Sequence, residues 1–253
     1  MIARRARGAV APAVGTWLLL LTACRPVAAP PPTLPTDAIS AAVEAHRQRQ
    51  RLVGLGVGVV HEGRVAYLGG FGHADREAGE LFDPQVSRVR WASISKSLTG
   101  SVAARLWERG ELDLDASVST LVPSFQPPAE LFRGDEGRTP LPSPPRPTLR
   151  QLLNHTAGVQ GYGDGAVDPT PDEDELHDPA VNTGFAWALE RWMKSPLVRE
   201  PGAEFLYTTM GFNLAGAAIG AAVAQDGEAP DAAFLRAVDE ALRGSGAEGI
   251  QPD

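Results

Sequence analysis

Two apolar, β-rich runs, at 55–60 and 64–71, are separated only by His61, Glu62 and Gly63. So short a connection lets the chain do one thing well, which is to turn back on itself as an antiparallel hairpin. A helix over about 36–51 precedes the runs, with Thr36 as its N-cap and Ile39, Ala42 and Val43 along one side. A helix followed at once by paired strands buries its apolar stripe on a sheet face, so the expected class is α+β.

Beyond the hairpin, Ile94, Leu98, Val102 and Leu106 recur four apart and Gly110 closes the pattern. This predicts a buried amphipathic helix over 94–109 with a glycine stop, and it puts Ser93 at the helix start, where a serine is commonly an N-cap. Residues 126–147, rich in proline and charge, read as a long surface connection. A short helix is expected over 148–155, and further helices over 184–194, 211–224 and 231–243. The acidic stretch 168–178 contains His177 and reads as a solvated loop, since no second cluster of metal-ligating residues accompanies it.

With 43% hydrophobic residues the chain has enough apolar side chain for one sizeable core and a small inserted subdomain. Its formal net charge is −8, and the first 23 residues carry Arg4, Arg5 and Arg7 without an acid, so the remainder is more acidic still. Nucleic acid is a poor candidate partner on that balance, because a phosphate backbone calls for a basic face.

The N-terminus has the order of an export signal: a basic start, an apolar stretch at 17–21, then Leu21-Thr22-Ala23-Cys24. Small residues running into the only cysteine resemble a bacterial lipobox, in which cleavage precedes the Cys and its thiol is acylated; the plainer reading is a signal peptide with an incidental Cys. The expected division is a lipoprotein signal peptide at 1–23, a proline-rich tether at 24–35 and a folded domain at 36–253. Such a chain is exported and held at the membrane by a lipid on Cys24, facing the periplasm or the exterior. A transmembrane helix is disfavoured, because the apolar run is shorter than the ~20 residues a bilayer needs. A lone cysteine also leaves the domain without an internal disulfide.

The chemistry concentrates at Ser93-Ile94-Ser95-Lys96. Only Lys96 and Lys194 among the 23 basic residues are lysines. Arginine keeps its charge at any ordinary pH, whereas an amine can give up its proton, so a site that needs a neutral amine cannot use arginine. Residues three apart share a helical face, which brings the hydroxyl and the amine within reach of one another. The chain holds 12 serines and two lysines, so a chance Ser-x-x-Lys is expected roughly 0.1 times, and its placement at a helix start strengthens it. A serine hydroxyl is a weak nucleophile that needs a neighbouring base to attack a carbonyl, and Lys96 is a candidate for that base or for the group that holds it. The competing reading makes Ser93 an N-cap and Lys96 a solvent-facing residue, although a cation in a first helical turn is electrostatically misplaced. Tyr207, one of three tyrosines, sits at a turn before a helical pattern. It is a candidate to pass a proton to a leaving group, or else a packed aromatic with a satisfied hydroxyl.

Four segments taken together resemble the serine β-lactamase-like and penicillin-binding protein family, which includes class C β-lactamases, D-alanyl-D-alanine carboxypeptidases and related esterases. They are Trp91-Ala92-Ser93-Ile94-Ser95-Lys96-Ser97-Leu98-Thr99, the run from Leu106-Trp107 to Leu114-Asp115, the run from Thr148-Leu149 to Ala157-Gly158, and Pro201-Gly202 through Tyr207. The first two look especially like the mitochondrial serine β-lactamase-like peptidases and their bacterial relatives, and the likeness runs over 36–214.

The resemblance implies a β-lactamase/transpeptidase-like fold, an antiparallel sheet flanked by helices. It implies Ser93 as the acylated nucleophile, Lys96 as its proton partner, Tyr207 as the tyrosine of the family's Tyr-x-Asn element, and neither metal nor cofactor. Thr209 stands at the substrate-binding position where many members carry Asn; it still donates a hydrogen bond but lacks the reach of an amide. Class A chemistry is not expected, as neither Ser-Asp-Asn nor Lys-Thr-Gly occurs. The family's third element, a Lys/His-x-Gly on a late strand that also supplies the second oxyanion-hole donor, has no counterpart after Leu214. The domain is therefore expected to be C-terminally incomplete, without its last strands and helix. The expected function is hydrolysis of an amide, peptide or ester through an acyl-enzyme. The alternative is a non-catalytic cell-envelope lipoprotein that keeps the fold to bind cell-wall peptide or a protein partner.

Overall fold

A computed structural model describes residues 34–163, 165–167 and 184–243. The signal peptide, Cys24, most of the tether and the acidic stretch around His177 lie outside the described residues. The described residues fall into two compact units, one ending at Val89 and one beginning at Arg90.

In the first unit, α1 (Thr36–Gln50) is capped at its C-terminus by Arg51, whose φ of 55° turns the chain out of the helix. Its N-cap is Pro35 rather than Thr36. Ile39 and Val43 are half-buried and Ala42 is exposed, so the apolar side is narrower than the sequence implied. The helix rests on the sheet, where the Ser40 hydroxyl and the Tyr67 hydroxyl share a 2.8 Å hydrogen bond.

The strands β1 (Gly54–His61) and β2 (Arg64–Asp75) pair antiparallel with His61 opposite Arg64. The connection is a two-residue turn in which Glu62 and Gly63 both have positive φ, 50° and 73°, the geometry that matches the twist of a hairpin. Both strands run further than the sequence indicated, and a short β3 (Glu80–Leu81) pairs with β2, giving the order β1-β2-β3.

In the second unit, α2 (Ile94–Glu108) buries Thr99, Val102, Ala103 and Leu106. Ile94, expected in the buried stripe, is 63% exposed. The helix packs along Thr99, Val102, Ala103 and Leu106, a face that the first turn does not reach, so the four-residue spacing extended one residue too far back. Gly110 ends the helix with φ 71° as expected.

Residues 126–147 are not a bare surface connection. They contain β4 (Glu130–Phe132) and β5 (Arg138–Pro140), paired around a 3₁₀ turn, and the Leu131 side chain is fully buried. Leu131 also bridges to Leu197, and Leu141 packs against the core as well, so a few apolar residues among prolines and charges tie the hairpin down.

After α3 (Val118–Leu121) comes α4 (Leu149–Leu153), opened by a capping box between Thr148 and Gln151. It stops two residues short of the expected end. The helix foreseen over 184–194 is likewise shorter, α5 (Phe185–Glu190) followed by turns. At the centre lies α6 (Thr209–Val223), in which Met210 and every residue from Leu214 to Gly220 are buried. A helix apolar on nearly all sides is one enclosed by its neighbours. Its Gly216 lies where an added Cβ would come within 2.6 Å of the Phe185 ring, and α7 (Pro230–Arg243) packs beside it.

Candidate active site

The first turn of α2 carries the serine and the lysine. Ser93 occupies the N-cap position, yet it has helical angles (φ −68°, ψ −10°) and its hydroxyl caps nothing. The residue before it, Ala92, has φ 46°, a left-handed conformation costly for a residue with a Cβ and often kept at functional sites. Hydrogen bonds from the N–H groups of Ile94, Ser95 and Lys96 to the carbonyls of Trp91, Ala92 and Ser93, at 3.0, 3.1 and 3.1 Å, close this elbow. The Lys96 Nζ then donates to Ser93 Oγ at 3.3 Å.

Tyr207 arrives on a segment stitched to the turn after α4. The Val198 N–H donates to the Gly158 carbonyl at 2.9 Å, the Gly202 N–H to Thr156 at 2.7 Å and the Leu206 N–H to His155 at 2.7 Å. Gly158 has φ 73° and would drive a Cβ into the Arg199 carbonyl, so only glycine permits this approach. Just past the tyrosine, Thr208 is buried; its hydroxyl donates to the Gln160 carbonyl at 2.6 Å and accepts from the Met210 N–H at 3.1 Å as the N-cap of α6. Tyr207 is thus held between two anchored neighbours, and its hydroxyl donates to Ser93 Oγ at 2.7 Å.

Thr209 opens α6, and its Oγ1 accepts from Lys96 Nζ at 3.3 Å. The ammonium stands 5.0 Å from the centre of the Tyr207 ring and 5.8 Å from that of Phe212. Four residues named from sequence, Ser93, Lys96, Tyr207 and Thr209, therefore form one hydrogen-bonded cluster. The hydrogen bond to Ser93, and after it the hydrogen bond and charge of Lys96, lower the Tyr207 phenol from its ordinary value of 10.0. Ser93 and Tyr207 are exposed and Lys96 is half-buried, which leaves the hydroxyl open to a carbonyl from solvent.

His155 and Phe212 had no assigned role in the sequence, and both belong to this cluster. The His155 ring stacks 4.6 Å from Tyr207 and 4.9 Å from Phe212. His155 has φ 61° as the residue after the Asn154 C-cap of α4, where its N–H donates to the Leu152 carbonyl at 3.2 Å and the Thr156 N–H to the Gln151 carbonyl at 2.8 Å, a left-handed helix stop; the one signal in the sequence was its place in His155-Thr156-Ala157-Gly158 directly after a helix.

A helix laid on an antiparallel sheet, with a serine, a lysine and a tyrosine gathered at the head of a core helix, defines the β-lactamase/transpeptidase-like fold class. The family model described as Beta-lactamase matches residues 39–236, and the chain belongs to the beta-lactamase family. Serine beta-lactamase-like protein LACTB, mitochondrial, from Homo sapiens is 38% identical over 109 residues, 43% of this chain and 18% of that protein. Esterase EstB from Burkholderia gladioli is 33% identical over 189 residues, 72% of this chain and 44% of that protein. Among solved structures, EstCE1, a hydrolase with promiscuous acyltransferase activity, superposes with a TM-score of 0.59 at 25% identity, covering 81% of this chain and 50% of its own. The chain thus spans half or less of the length of these relatives.

Proposed function

We propose that this protein is a serine hydrolase that works through an acyl-enzyme on Ser93, taking an ester, amide or peptide carbonyl. The observation that carries this reading is the pair of hydrogen bonds on one hydroxyl, from Tyr207 at 2.7 Å and from Lys96 at 3.3 Å. With Tyr207 as phenolate, the phenol oxygen takes the Ser93 proton while Oγ bonds to the carbonyl carbon, and the Lys96 ammonium steadies the phenolate charge. The proton next passes from Tyr207 to the leaving alcohol or amine as the scissile bond breaks. Water then attacks the acyl-enzyme, gives its proton to Tyr207 and releases the acid, and Ser93 recovers its proton. Among the described residues no group accepts from the Ser93 N–H, which leaves it available to the oxyanion.

Esterase EstB and the hydrolase EstCE1 support ester cleavage as the first chemistry to test. Thr209, in place of a longer amide, also favours substrates that need no side-chain amide contact. A fluorescent phosphonate or p-nitrophenyl ester should label or turn over on Ser93, and Ser93→Ala should abolish both. Turnover that persists in Ser93→Ala would remove the proposal.

We further propose that Cys24 carries a lipid anchor in the cell envelope, on the strength of the Leu21-Thr22-Ala23-Cys24 sequence behind a basic, apolar leader. Metabolic labelling with a fatty-acid analogue should mark the protein and fail to mark Cys24→Ser; equal labelling of the two would exclude it.

A further inference from the structure

His155 is half-buried, lies outside the proton path proposed above and is tied into the site at three points. Its carbonyl accepts from the Leu206 N–H at 2.7 Å, its Nδ1 accepts from the Thr208 N–H at 3.2 Å, and its ring lies against Tyr207 at 4.6 Å between centroids. The two N–H groups flank Tyr207 in sequence, so one residue holds the backbone on both sides of the tyrosine as well as the face of its ring. Phe205 and Phe212 enclose the imidazole, with centroids at 5.5 and 4.9 Å.

An imidazole accepts through Nδ1 only while that nitrogen carries no proton. The surroundings keep it so: burial, and then the charge of Lys96, lower His155 from its ordinary value of 6.5. Among the described residues, Tyr207 lies against this ring from the segment before α6 and the charge of Lys96 reaches it from α2.

We propose that His155 is the positioning residue of this site, a neutral imidazole that sets the Tyr207 hydroxyl against Ser93 by holding Leu206, Thr208 and the phenol ring together. The inference rests on the serine hydrolase reading for its consequence in rate, but the placement of Tyr207 can be read without turnover.

Two substitutions separate the ring from the acceptor. His155→Phe keeps a ring and removes the acceptor. His155→Asn keeps an acceptor near the Nδ1 position, tolerates positive φ and removes the ring. In each, the Tyr207 titration is followed by ¹³C-tyrosine NMR, with Tyr207→Phe as the assignment control, beside the rate of Ser93 acylation by a phosphonate probe. The expected result is an upward move of the Tyr207 titration in both variants and an acylation rate lower by about 10–100-fold, the scale of a misplaced catalytic group. His155→Asn should retain more rate than His155→Phe. An unchanged Tyr207 titration in both folded variants would overturn the proposal, even if the rate fell. A shifted titration in a protein whose wild-type form never acylates would uphold the positioning role and remove the hydrolase reading instead.

Discussion

The Tyr207 hydroxyl donates to Ser93 Oγ at 2.7 Å across 114 positions of sequence. The contact is made by two rigid devices. One is the elbow at Ala92 that leaves the Ser93 hydroxyl outside the capping role, and the other is the ladder from Val198 to Leu206 along His155 to Gly158. The ladder leaves out the residues that react, and the elbow includes Ser93 and Lys96 only through their backbone. The serine is aimed by its own helix, and the tyrosine by a turn that ends a different one.

Removing the phenol oxygen should cost most of the rate without costing the fold. Tyr207 is 50% exposed, so Tyr207→Phe should leave the melting temperature nearly unchanged and lower turnover of an activated ester by about 10²–10⁴-fold, the usual worth of a positioned acid or base. Lys96→Met should fall in the same range. Steady-state kinetics on both variants test this, and a Tyr207→Phe enzyme with wild-type kcat would exclude the phenol from the proton path.

The titration of the phenol reports its neighbours. Because the Ser93 hydrogen bond is the largest cause of the lowered phenol and Lys96 the next, Ser93→Ala and Lys96→Met should each move the Tyr207 titration upward, the serine variant further. Ultraviolet difference spectra above pH 8 resolve the change. A downward move in either variant would contradict the arrangement.

Acid should weaken the fold through His155. Its folded value lies below the ordinary 6.5, so in the interval between the two the unfolded chain holds a proton that the folded chain lacks. Stability therefore drops as pH falls through that interval and levels off once the folded form is protonated as well. Urea melts from pH 8 to pH 5 should show a shallower decline in His155→Asn than in wild type, and parallel slopes would remove His155 as the source.

Leu131 should behave as a core residue although the hairpin that carries it is largely exposed. Leu131 is fully buried, so Leu131→Ala should destabilise by about 2–5 kcal/mol; a surface position would shift stability by ~0.5 kcal/mol or less. Denaturant titration distinguishes the two.

What was legible in the sequence is local. The hairpin at Glu62-Gly63, the helix opened by Ser93, the glycine stop at Gly110 and the apolar run of α6 all follow from periodicities and turn chemistry that act over a few residues. The spacing of Ser93 and Lys96 belongs with them, because a helix converts three positions into a shared face. The burial of Leu131 and the exposure of Ile94 were not legible, since each depends on what another segment places beside it. The same holds for His155. Its backbone angle is set locally, by the stop that ends α4, but its neutral ring and its grip on Tyr207 come from packing, hydrogen bonds and ring contacts with residues about fifty positions away, and the residue alone encodes neither of these. The sequence by itself determined which groups could react, and tertiary structure decided which of them meet, because the hydrogen bonds that join them close only when distant segments pack.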